Sequence, residues 1–188
     1  MSYKIKKVAV LGSGVMGSGI ACHLANVGID VLMLDIVPKD IEKDKNRNVV
    51  ADESLARVVK SKPNPIYNKE FLKRIKTGNF DDDFEKISSA DWIIEVVVEN
   101  LEIKKQIFEK VEKYKSKDSF VSSNTSSIPI NLLCEGRSKD FKKNFCGTHF
   151  FNPARYMRLL EIIPQTETDQ KLVEFLMEFG DITLGKQT

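Results

Sequence analysis

The six residues Gly12-Ser13-Gly14-Val15-Met16-Gly17 constrain the fold of this chain most. They follow the apolar run Val8 to Leu11 and open a segment with helical patterning. That context separates a dinucleotide-binding strand–turn–helix from a chance glycine spacing. Gly12 permits the tight turn, Gly14 lets backbone approach a pyrophosphate, and Gly17 allows the helix to pack closely on the strand. Val15 and Met16 stand between the glycines, where the helix N-terminus faces negative charge. The bland alternative is a glycine turn with a surface aspartate, Asp35.

Short apolar runs alternate with longer helix-patterned segments, the signature of a parallel sheet covered by helices. Val8 to Leu11, Val31 to Leu34, Trp92 to Val98 and Phe120 to Ser123 read as strands, with Phe145 to Gly147 and Leu159 to Ile163 as further ones. Between the second and third lies an insertion, roughly Pro38 to Arg74, charged and free of glycine. It reads as two helices joined at Lys62-Pro63-Asn64-Pro65, a helical-hairpin arm. The expected fold is α/β: a Rossmann-like, doubly wound, mostly parallel sheet forming one domain over residues 1–188. Leu172 to Phe179 reads as a helix, and Asp181 to Lys186 as a strand just beginning, so the end looks like a cut.

The chain's 188 residues, 41% of them apolar, are enough for one core. Twenty-nine basic against 27 acidic residues leave a formal charge of +2, which gives no global pull toward nucleic acid or an anionic membrane. Cys22, Cys134 and Cys146 are odd in number and lack C-x-x-C spacing, so neither a disulfide framework nor a zinc site is suggested. No apolar run reaches the ~18 residues of a membrane span, and no signal-type segment opens the chain. The cytoplasm is the expected compartment.

Asp35 ends the second strand, 23 residues after Gly12, where a carboxylate can accept hydrogen bonds from adenosine ribose hydroxyls and would repel a 2′-phosphate. NAD is therefore expected over NADP. Glu99 and Lys104 follow the strand that starts at Trp92, and strand ends are where ligands bind in doubly wound sheets. The pair either borders the cofactor or is a plain surface ion pair. Ser122-Ser123-Asn124-Thr125-Ser126-Ser127 follows the next strand and packs hydroxyl and amide donors where a substrate oxygen could sit, or forms an ordinary turn.

In Cys146-Gly147-Thr148-His149-Phe150-Phe151-Asn152-Pro153, one of only two histidines follows an apolar strand, and Glu161 stands twelve positions beyond it. A carboxylate on the following strand can hold one ring nitrogen while the other faces a substrate, giving an oriented general base. A packing histidine beside two phenylalanines is the plainer reading. His23, inside the first helix, reads as structural.

Gly12 to Gly17, Glu99-Asn100-Leu101, Ser123 to Ser127 and His149-Phe150-Phe151-Asn152-Pro153, in this order, resemble the NAD-dependent 3-hydroxyacyl-CoA dehydrogenases, specifically their N-terminal cofactor domain. The resemblance covers nearly the whole chain. It implies His149 as catalytic base, Glu161 as its orienting partner, and Ser126 and Asn152 as polar groups near the reacting carbon. It also implies Glu99 and Lys104 at the nicotinamide side of NAD, Ser54 near the CoA moiety, and an acyl-CoA substrate of fatty-acid or butyrate metabolism. Family members continue into an all-helical domain that helps bind the acyl chain and makes a homodimer, and no such segment is present here. Where the resemblance puts a lysine near the CoA phosphates, at about Ser61, this chain offers Lys60 and Lys62. A dehydrogenase of a free hydroxy acid such as gulonate, and a non-catalytic NAD-binding module, remain the alternatives.

Overall fold

The computed structural model describes residues 3–42 and 45–188; Lys43 and Asp44, within the expected arm, and Met1 and Ser2 lie outside the described residues. Seven strands form one sheet in the order β3-β2-β1-β4-β5-β6-β7. They are β1 (Lys7–Leu11), β2 (Asp30–Asp35), β3 (Ile75–Asn79), β4 (Trp92–Glu95), β5 (Phe120–Ser123), β6 (Phe145–Phe150) and β7 (Leu160–Pro164). All neighbours pair parallel except β6 and β7, which are antiparallel. The sequence order reverses at β1, with β2 on one side and β4 on the other, so a cleft opens at the carboxyl ends of these strands.

The sheet is buried on both faces, which explains the near-continuous apolar runs of its central strands. One core packs Val8, Val10, Ile20, Leu24, Met33 and Trp92 beneath α1 (Val15–Asn26). The other packs Ala9, Leu11, Ile93, Phe108, Val121 and Phe145 beneath α3 (Leu101–Tyr114). Asn100 caps α3 by accepting the Ile103 amide, and Asp169 caps the C-terminal helix Gln170–Glu178 by accepting that of Lys171. No helix among the described residues is long and apolar enough to cross a membrane.

Three sequence expectations change in detail, and one strand is new. The arm after β2 has two helical pieces, but only α2 (Val49–Val59) is α-helical; the second, Lys69–Arg74, is a 3₁₀ turn. Pro63 and Pro65 lack donors, Asn64 and Asn68 accept the amides of Ile66 and Glu70, and six residues remain before β3 begins. β3 itself was not foreseen, because this edge strand carries a charge and a glycine among its five residues, Ile75-Lys76-Thr77-Gly78-Asn79. The strand from Trp92 stops at Glu95 instead of Val98, where the Glu95 carboxylate takes the Val97 amide at 2.7 Å. Asp181 to Lys186 is not a strand: a π-helical turn, Phe179–Thr183, leads to Gly185 at φ +64°, and only Gln187 pairs, with Leu159.

Candidate active site

The glycine turn sits where β1 meets α1. Gly12 has φ +107°, and a Cβ there would lie 2.6 Å from the Val96 carbonyl oxygen. A Cβ on Gly17 would come within 1.9 Å of the Gly12 carbonyl oxygen, so α1 starts close against the turn only because residue 17 is glycine. Gly14 is exposed and meets nothing within 4 Å, leaving the backbone at the helix start open to a ligand phosphate. Asp35 is half-buried at the end of β2: one carboxylate oxygen accepts the Ser13 amide and hydroxyl, each at 2.6 Å, and the other accepts the Ile36 amide at 2.7 Å. Ser13 is thus part of the turn in a way the glycine spacing alone did not reveal.

A cleft of about 820 Å³ runs along these strand ends. It brings together Gly12, Gly14, Val15, Met16, Asp35, Glu99, Lys104, Ser126, His149 and Asn152. Gly17 lies behind it against Gly12, and Glu161 backs His149 from outside. Ser54 lies apart, in an adjoining cavity of about 300 Å³ with Arg57, Ser61 and Lys62, while Lys60 is exposed outside it. Gly14, Val15 and Asn152 line both spaces, so the two are contiguous.

Glu99 and Lys104 are not a plain surface pair. The Lys104 ammonium, 1% exposed, lies 2.7 Å from Glu95 and 3.2 Å from Glu99. Glu95 is fully buried and also accepts the Ser123 hydroxyl at 2.5 Å. Burial pushes the Glu95 carboxyl up, with Lys104, Ser123 and the Val97 amide pulling the other way. Glu99 accepts from the Thr125 hydroxyl, the Ser126 amide, and the Ser127 amide and hydroxyl. Partial burial raises the Glu99 carboxyl, but the Thr125 and Ser127 donors and Lys104 outweigh it and hold it at about 2. The serine-rich segment is therefore folded around a carboxylate. Glu95 was missed as a site residue because it reads as the end of an apolar strand.

His149 and Glu161 stand directly opposite each other on β6 and β7, and Nδ1 of the histidine lies 2.7 Å from a Glu161 oxygen. The ring also packs at 4.3 Å from that of Phe151. With Nδ1 engaged by Glu161, Nε2 is the ring nitrogen left outside that contact, on a residue that lines the cleft. Asn124 ties this strand to the serine loop by accepting the Phe150 amide at 2.8 Å. His23 is buried, as expected of a structural residue, with Nε2 3.1 Å from the Leu184 carbonyl oxygen and Nδ1 without a partner.

Residues 7–188 match the model of the 3-hydroxyacyl-CoA dehydrogenase NAD binding domain. The chain belongs to this family. It is 52% identical over 197 aligned positions to a probable 3-hydroxyacyl-CoA dehydrogenase of Bacillus subtilis, covering 99% of this chain and 25% of that protein. A probable 3-hydroxyacyl-CoA dehydrogenase of Deinococcus radiodurans is 46% identical, with 97% of this chain and 52% of that protein covered. The chain thus spans from a quarter to about half of these relatives. The crystal structure of 3-hydroxybutyryl-CoA dehydrogenase from Escherichia coli superposes with a TM-score of 0.76 at 29% identity, over 98% of this chain and 37% of that one. NAD is the cofactor of this 3-hydroxyacyl-CoA dehydrogenase domain, and the open backbone at Gly14 and the anchored Asp35 carboxylate fit its pyrophosphate and ribose.

Proposed function

We propose that this chain is the NAD-binding part of an enzyme interconverting 3-hydroxyacyl-CoA and 3-ketoacyl-CoA, with His149 as general base. The observation that carries this reading is the His149–Glu161 pair at the wall of a dinucleotide cleft. When bound, NAD supplies the hydride chemistry. His149 takes the substrate hydroxyl proton at Nε2 as the carbonyl forms, and returns it to the 3-keto oxygen in the reverse direction. Glu161 fixes the ring and stabilises the imidazolium through Nδ1. Ser126 and Asn152, both exposed at the same cleft, offer donors to the substrate oxygen. Glu99 and Lys104 border the nicotinamide side.

Ser54, Arg57 and Lys62 in the adjoining cavity supply a hydroxyl and two cations where a CoA phosphate would lie. That favours an acyl-CoA over a free hydroxy acid. Lys62 lines this cavity and Lys60 does not, which supports Lys62 as the cation in the place the resemblance left open. In this reading residues 1–188 are one domain of a larger cytoplasmic enzyme of fatty-acid oxidation, whose further residues complete the acyl site and make a homodimer.

The test is NADH consumption by this chain with acetoacetyl-CoA, followed by absorbance, with acetoacetate as the comparison substrate. Turnover dependent on the CoA moiety supports the reading. Turnover of both alike favours the hydroxy-acid alternative, and NADH binding without turnover means that this chain alone is only a cofactor module.

A further inference from the structure

The loop between β6 and β7 carries Asn152 into both cavities and is closed on itself by Pro153, whose carbonyl accepts the amides of Tyr156 and Met157 at 2.9 and 3.0 Å. Two other carbonyls of that loop, those of Ala154 and Met157, turn inward to one donor, the Lys186 ammonium, the second at 2.8 Å. Lys186 is 6% exposed and pairs with no carboxylate among the described residues. A buried ammonium is costly to hold unless polar groups satisfy it, and here loop carbonyls do so. Burial lowers the Lys186 amine to about 8.

The backbone around Lys186 is equally fixed. Gly185 turns at φ +64°, the Lys186 amide donates to Gly180 at 2.9 Å, and Gln187 donates to the Arg158 carbonyl at 2.8 Å. On the other side, the loop holds the arm: Arg155 stacks 3.8 Å over Tyr67 and donates to the Asn64 carbonyl, which also accepts the Tyr156 hydroxyl at 3.0 Å. Chain segments near residues 64, 155 and 186 therefore form one connected stack beside the cofactor cleft.

We propose that Lys186 is a positioning residue: from beneath, it fixes the Asn152–Met157 loop, and through Arg155 and Tyr156 the arm that lines the Ser54 cavity. The consequence for turnover rests on the dehydrogenase reading, because it acts through Asn152 and the acyl-CoA cavity. The consequence for the loop does not.

The experiment is amide hydrogen exchange on the 188-residue chain, comparing the natural sequence with Lys186→Met and Lys186→Ala. Peptides spanning residues 152–160 should exchange at least about tenfold faster in both variants, those of α1 and β1 should change less than about twofold, and ethylamine should restore slow exchange to Lys186→Ala alone. NADH affinity should stay within about twofold, while KM for acetoacetyl-CoA rises about tenfold with a smaller fall in kcat. Unchanged exchange at 152–160, or equal acceleration through the whole chain, overturns the proposal. If the variants do not fold, ethylamine-dependent refolding of Lys186→Ala supports it and absence of any amine effect overturns it. If the natural chain shows no turnover, this chain alone is a cofactor module and the KM comparison falls away, and the exchange data still decide on Lys186.

Discussion

Glu95 and Lys104 face each other at 2.7 Å with 0% and 1% of their side chains exposed, which places a complete ion pair under the floor of the cofactor cleft. Removing one partner of such a pair strands the other charge without solvent. Lys104→Met should lower unfolding stability by about 3–5 kcal/mol, and adding Glu95→Gln should recover part of that loss. Urea denaturation of the two single variants and the double variant measures it; additive losses would show that the pair is not coupled.

His149 makes its polar contact with Glu161 and none with the glycine turn. His149→Gln should abolish turnover while leaving NADH affinity within about threefold, since the role proposed for the imidazole is to move a proton and not to hold the cofactor. Steady-state assays beside a fluorescence titration check both halves. Retained turnover removes the histidine from the mechanism.

Asp35→Ala removes the acceptor for Ser13 and the proposed acceptor for the ribose hydroxyls. NADH affinity should fall about tenfold, the scale of one charge-assisted hydrogen bond. An unchanged dissociation constant in the same titration would rule out the ribose contact.

Burial, reinforced by Lys186 and Arg155, lowers the His23 imidazole to about 4. The unfolded chain takes up that proton near pH 6.5, and the folded chain refuses it until about pH 4. Stability from this group is therefore intact above pH 6.5 and falls as pH drops, by about 3 kcal/mol at pH 4. Glu99 follows the same sign in a lower window, from the ordinary glutamate range down to about 2. Denaturant midpoints between pH 7 and 4.5 should decline in the natural chain and stay flatter in His23→Leu.

The parts legible in the sequence are those set by local pattern. Apolar runs gave the central strands, and the glycines at 12, 14 and 17 gave the turn, because each is demanded by a single backbone constraint. The pairing of His149 with Glu161 was readable because an apolar strand leads into the histidine and another carries the glutamate, although β6 runs on past Gly147 to Phe150 and takes His149 into the ladder. What stayed hidden depends on distant chain segments. β3 has little apolar character because it is an edge strand, and Glu95 declares itself only once Lys104 folds back over it. Lys186 lies 29 residues beyond Met157, the carbonyl it binds, and nothing in its own neighbourhood marks it as buried.

The antiparallel β6–β7 ladder makes His149 and Glu161 cross-strand partners, so their distance is set by the register of the two strands. Exposed side chains of the connection, such as those of Met157 and Leu159, can change while the register keeps His149 against Glu161. One extra residue inside β7 would do the opposite, sending Glu161 to the other face of the sheet and leaving the histidine unsupported. In this architecture the His149–Glu161 contact is held by a hydrogen-bonded ladder, and the loop that carries Asn152 is held separately, by Lys186.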